Sequence, residues 1–150
     1  MLHNLASKLT NKIDDIDFNL EDFQKKVNTD LVGKFINIAS RVQKFLKSNG
    51  NRIGSELDEK IVDSFRNETT AIFSDYVTLD YSNAIKKIMK LADSANQYID
   101  HNQPWVLARE KVNEKEVIKI SSTGMNLFRI LNICLEPVSY THLRAHETAT

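Results

Sequence analysis

The chain has 150 residues, a length that suits one hydrophobic core better than two. Its 41% hydrophobic and 27% charged residues exclude a disordered or collagen-like chain. Lys plus Arg number 20 and Asp plus Glu number 20, so a globally basic nucleic-acid binder is excluded while a local basic patch is not.

In chain order, Leu2, Leu5, Ala6 and Leu9 have helical spacing over a run too short to be stable alone, and Asp14 to Phe18 reads as a connector. Asn19 is a good N-cap, with Glu21 and Asp22 favoured in the first turn by the helix dipole. Phe23, Val27, Leu31, Phe35, Ile38, Val42 and Phe45 then form one apolar stripe, predicting a long helix that ends near Ser48-Asn49-Gly50. Leu57, Ile61, Phe65, Ile72, Phe73 and Tyr76 predict a second helix, with Asp80 as a break. Ala84, Ile85, Ile88, Met89, Ala92, Ala95 and Ile99 predict a third, stopped at Gln103 by Pro104. From Val117 to Leu135 the chain is apolar almost all round, the mark of a central buried helix, with Gly124 serving close packing. Four glycines and two prolines leave little material for a turn-rich β fold. The expected class is all-α, a helical bundle of four to five helices of antiparallel type.

Zero net charge conceals segregation. Lys34, Arg41, Lys44, Lys47 and Arg52 stand between Leu31 and Arg52 without an acid, and seven acids follow between Ile53 and Asp80. Such stretches form a local phosphate-binding surface, two helices that attract each other, or solvated faces. No glycine-rich phosphate loop is present. Cys134 is the lone cysteine and falls in the most apolar helix, which favours an inert core thiol over a nucleophile. His142 and His146 are four apart but lack the further ligands of a zinc site. No catalytic residue and no metal site are therefore expected. No apolar run approaches a membrane span, and the first residues lack the pattern of a signal peptide, so a cytoplasmic location is expected.

One constellation carries more information. Asn37 and Arg41 are one turn apart, about 80° from the centre of the apolar stripe, and Lys44 extends the same shoulder. Trp105 follows Pro104 at a helix break, where a ring can be half exposed, and a partly exposed tryptophan is a stacking platform for an unpaired base. The competing reading makes Arg41 an ion-pair partner, Asn37 an ordinary surface residue and Trp105 a core plug. In that case the domain is a helical protein-interaction module without an RNA role.

Asp15-Ile16-Asp17-Phe18-Asn19-Leu20-Glu21-Asp22-Phe23, followed by Val27 to Lys34, resembles the region after the catalytic part of methionine–tRNA ligases. Asn37-Ile38-Ala39-Ser40-Arg41 is similar to that family's anticodon-reading helix. Ala92 to Asp100 with Gln103-Pro104-Trp105 and Ala108 resembles its second signature. Ser122-Thr123-Gly124-Met125 and Leu135-Glu136-Pro137-Val138 continue in the family's order. The resemblance covers roughly Leu5 to Val138.

The resemblance implies an anticodon-binding helical bundle of the class Ia synthetases. It further implies that Asn37 and Arg41 contact anticodon bases and that Trp105, shaped by Pro104, stacks on the first cytosine of a CAU anticodon. Lys34 and Lys44 would add weak contacts to the tRNA backbone. The implied partners are the anticodon loop of tRNA(Met) and an upstream catalytic domain of the same enzyme, which would hold ATP with magnesium. That domain's motifs are not in this chain. The expected organisation is a bundle over residues 1–138, cut short at both ends relative to the family. Residues 139–150 depart from the family and resemble a translated sequencing adaptor, for which no function is expected.

Overall fold

A computed structural model describes residues 20–148, with side chains placed over most of 22–137. The expectations for the first helical run, the connector and the Asn19 cap lie outside the described residues. Helix α1 spans Leu20–Gln43, α2 Glu59–Val77, α3 Tyr81–Asn102, the single turn α4 Pro104–Leu107, and α5 Glu114–Thr148. Short 3-10 turns cover Lys44–Asn49 and Lys111–Asn113. The predicted all-α bundle is what forms. The end foreseen at Ser48-Asn49-Gly50 is a Schellman closure. Gly50 takes φ 65°, its N–H donates to the Lys47 carbonyl at 3.1 Å, and the Asn51 N–H donates to the Leu46 carbonyl at 2.9 Å.

The predicted stripes account for most of the core. Val27, Leu31, Phe35, Ile38 and Val42 of α1 are buried, as are Ala84, Ile85, Ile88, Ala92, Ala95 and Ile99 of α3. Three positions differ. Leu46, rather than Phe45, is buried after α1 tightens into its 3-10 turn. In α2 the innermost line is Val62, Phe65 and Ile72, with Ile61 on its margin, and Leu57 falls in the segment before the helix. Phe73 is 41% exposed, one residue off that line, where its ring leans on Tyr76 at 6.2 Å between centroids.

Helix directions follow from residues that meet. Gly124 of α5 packs against Val42 and Ile99, near the C-terminal ends of α1 and α3, so α5 runs opposite to both. Tyr76, near the end of α2, donates its hydroxyl to the Cys134 carbonyl at 2.7 Å, while the Asp58 N–H just before α2 donates to Thr123 Oγ1 at 2.9 Å. Helix α2 is thus parallel to α5. Consecutive long helices alternate in direction, but α1 and α2 barely touch and occupy opposite corners. The segment between them crosses one end of the bundle, fastened where the Gly54 N–H donates to Ser122 Oγ at 2.8 Å. Ser122 and Thr123 are fully buried for this reason: they satisfy backbone donors of the crossing segment that would otherwise lie unpaired.

Placing α1 and α2 at opposite corners makes α1 and α3 parallel neighbours. The acid-rich stretch after Ile53 therefore does not face the basic end of α1, and attraction between the two, one of the three readings of these stretches, is not how the helices pair. Helix α5 contacts all three other long helices, as its all-round apolar character predicts, and it continues through Pro137 to Thr148. No helix among the described residues is long and apolar enough to cross a membrane.

Candidate nucleic-acid interface

The parallel contact between α1 and α3 is a polar ladder with a constant offset. Lys34 pairs with Asp93, the Asn37 side-chain amide donates to Asn96 Oδ1 at 3.0 Å, and Arg41 pairs with Asp100. The three α1 residues are spaced 3 and 4, and so are their α3 partners, so each rung sits one turn beyond the last. Asn96 is fixed in turn by donating to the Ala92 carbonyl at 3.1 Å and the Lys34 carbonyl at 3.4 Å.

The ladder ends at a sharp reversal. The residue before a proline is disfavoured in the helical region, so α3 cannot run through Gln103. Gln103 instead adopts φ 45°, ψ 60°, with its N–H still donating to the Ile99 carbonyl at 3.0 Å. A left-handed conformation at a residue other than glycine is strained, and here it turns the chain back toward α1. Pro104 opens the next turn at a position where its missing N–H costs nothing, and it is buried. Trp105 is thereby set half-buried against the core, with the Arg41 guanidinium carbon 4.9 Å from its ring centroid.

Arg41 thus makes two contacts at once, with the Asp100 carboxylate and the indole face. Its side chain is 23% exposed, which strengthens both relative to a freely solvated pair. The hydrogen bond from Arg41 holds the Asp100 carboxyl below the usual carboxylate range. Asn37 is exposed beside this group, and Lys44 begins the following 3-10 turn with its ammonium 4.9 Å from the Phe45 ring centroid. Asn37, Arg41, Pro104 and Trp105 therefore meet on one shoulder. Lys34 stands two rungs away, held by Asp93.

The structure agrees with part of the competing reading as well: Arg41 is an interhelical ion-pair partner. Trp105, however, is not sealed in the core. The residues that sequence reasoning passed over are Asp93, Asn96 and Asp100. Their 3,4 spacing, matching that of Lys34, Asn37 and Arg41, was the signal available.

Elsewhere, burial pushes the Cys134 thiol up to about 11, so it stays protonated at neutral pH as expected of a core cysteine. No cluster of His, Cys, Asp and Glu suited to a metal occurs among the described residues. The side chains of His142 and His146 lie outside them.

The family model for class I tRNA synthetases (M) matches residues 3–43. The chain is similar to a methionine–tRNA ligase: it is 40% identical over 136 residues to that enzyme of Dichelobacter nodosus (strain VCS1703A). The match takes in 89% of this chain and 20% of the relative, so the chain spans about a fifth of the length of the curated relative it matches.

Proposed function

We propose that this bundle reads the anticodon loop of tRNA(Met) as one part of a longer methionine–tRNA ligase. In that enzyme a catalytic domain outside this chain would join methionine to the tRNA with ATP and magnesium. The observation that carries the reading is the pairing of Arg41 with a half-exposed Trp105 at the reversal between α3 and α4. A flat ring with one edge in the core keeps its orientation without a ligand, so little ordering entropy is lost when a base stacks on it. The unpaired cytosine at the first anticodon position stacks on the indole. Arg41 and Asn37, one turn apart on the same shoulder, supply hydrogen-bond donors to base edges and phosphate. Lys34 and Lys44 add sequence-blind attraction to the backbone.

Anticodon contacts made here would raise the rate at the distant active site by adding binding energy that is realised in the aminoacylation transition state. Residues 139–150 have no part in this reading, which rests on residues 1–138. A protein-interaction module would need Trp105 as an interior plug, which its partial exposure does not favour.

Binding of a CAU anticodon stem-loop to the full chain tests the reading. Trp105→Ala and Arg41→Ala should each weaken it by about 1–3 kcal/mol while the helical circular dichroism stays unchanged. Variants that fold normally and bind as tightly as the parent chain contradict it.

A further inference from the structure

Helix α5 opens with alternating charges, Glu114-Lys115-Glu116, which the fold sorts onto different faces. Glu114 lines the hollow beside the 3-10 turn that prolongs α1. Glu116 faces α3: burial first, and the charges of Asp58 and Glu116 after it, push the Tyr98 hydroxyl up to about 12. Lys115 and Lys119, four residues apart, are left on the face turned away from both helices.

The segment that crosses from α1 to α2 brings a further cation to that face. A Cβ at Gly54 would meet Ile118 Cγ2 at 3.0 Å and Ser122 Oγ at 3.2 Å, so the segment lies flat on α5 at those two residues. Each of them stands three residues after one of the lysines, hence beside it on the helix surface. Arg52 is two residues from Gly54, and its backbone is tied down twice. Its N–H donates to the Asn49 carbonyl at 3.2 Å, and the Asn49 side-chain amide donates to the Arg52 carbonyl at 2.8 Å. Arg129 lies seven residues beyond Ser122, two turns or about 10 Å further along the same line. Arg52, Lys115 and Arg129 are exposed and Lys119 is half-buried. None of the four enters an ion pair among the described residues, and α5 carries no acid from Val117 to Leu135.

Lys115 and Lys119 are about 5–6 Å apart, and Arg129 is about 15 Å beyond Lys119. One small anion cannot span that row, whereas a chain of phosphates can. The row starts at the end of the bundle where Trp105 stands, because α5 begins just after the reversal that carries the indole.

We propose that this cationic face holds the phosphate backbone of an RNA strand leaving the loop read at Trp105, without regard to its base sequence. The assignment rests on the reading of Trp105 as a stacking platform. Lys115, Lys119 and Arg52 neutralise phosphates of the strand nearest the loop, and Arg129 meets it farther along α5.

The test follows binding of the full chain to a fluorescently labelled CAU stem-loop across a salt series. The Lys115→Gln, Lys119→Gln double variant should flatten the plot of log affinity against log salt by about two, and Lys115→Arg, Lys119→Arg should restore it. Arg52→Gln should flatten it by about one. Each loss should be the same factor for CAU and for a loop with its first anticodon base changed, because phosphate contacts carry no base information. Trp105→Ala should instead narrow the preference for CAU and leave the slope unchanged.

A double variant with the parental helical circular dichroism and the parental slope overturns the phosphate site. So does a loss confined to the CAU loop. Equal binding of the two loops by the parent chain removes the anticodon reading, yet the phosphate site stands if the double variant still flattens the slope. An absence of RNA binding overturns both.

Discussion

The guanidinium of Arg41 lies over the indole of Trp105, its carbon 4.9 Å from the ring centroid, while the same group is bonded to the Asp100 carboxylate on the parallel neighbouring helix. One cation thus links a ring at a chain reversal to the last rung of an interhelical ladder. Through Arg41, Trp105 is joined to a carboxylate five residues before it in sequence, on α3.

That link is pH-dependent. The Asp100 carboxyl titrates below the usual range because it accepts a hydrogen bond from Arg41. A depressed value means that the interaction is fully present above the ordinary aspartate pKa and is lost as pH falls through the lower, folded value. Trp105 is the single tryptophan, so its fluorescence reports on the contact directly. An acid titration of the folded chain should show a change in emission below about pH 4, absent from Asp100→Asn. Identical titrations would mean that Asp100 does not hold Arg41 over the ring.

The two helical glycines should respond oppositely to alanine. At Gly124 a Cβ would meet Val42 Cγ1 at 3.1 Å and Val42 Cγ2 at 3.4 Å, so Gly124→Ala requires the buried Val42 side chain to give by a few tenths of an ångström in a filled core. Overpacking of about 1–3 kcal/mol outweighs the gain of about 1 kcal/mol in helix propensity, and the Tm should fall. At Gly33 a Cβ meets nothing within 4 Å, and Gly33→Ala should raise stability by about 0.5–1 kcal/mol. Thermal unfolding of both variants checks the packing of the centre.

Leu79 closes α2 at φ 60°, in a Schellman arrangement where its N–H donates to the Tyr76 carbonyl at 3.0 Å and the Asp80 N–H to the Asp75 carbonyl at 2.8 Å. The side chain is 71% exposed, so little packing compensates for the left-handed backbone. Leu79→Gly should remove about 1–2 kcal/mol of strain against about 0.5–1 kcal/mol of added unfolded-state entropy. A net gain of up to about 1 kcal/mol in chemical denaturation is the expected outcome, and a loss would show that Leu79 packs on something important to the fold.

The helices were legible because they depend on local chemistry, whereas spacing alone left Trp105 open between a stacking platform and a core plug. Apolar spacing marks a face, Pro104 forbids continuation of α3, and an indole at such a break is pinned on one side. What covers a face is a long-range matter. Spacing within α1 does not say that α3 rather than α2 lies beside it, and the runs of like charge left the pairing open. Asp93 and Asp100 lie 59 residues from their partners, and only the matched 3,4 spacing of the two helices links them beforehand. Phe73 and Leu46 differ from expectation for a related reason. A stripe is wide enough to include a neighbour, and the partner helix decides which of two adjacent residues is covered.

Quenching of Trp105 fluorescence by anticodon stem-loops tests the central claim most directly. A CAU loop should quench the emission saturably and bind at least about tenfold more tightly than the same stem-loop with its first anticodon base changed. Equal quenching and equal affinity for the two loops would contradict the assignment of Trp105 as the platform for that base.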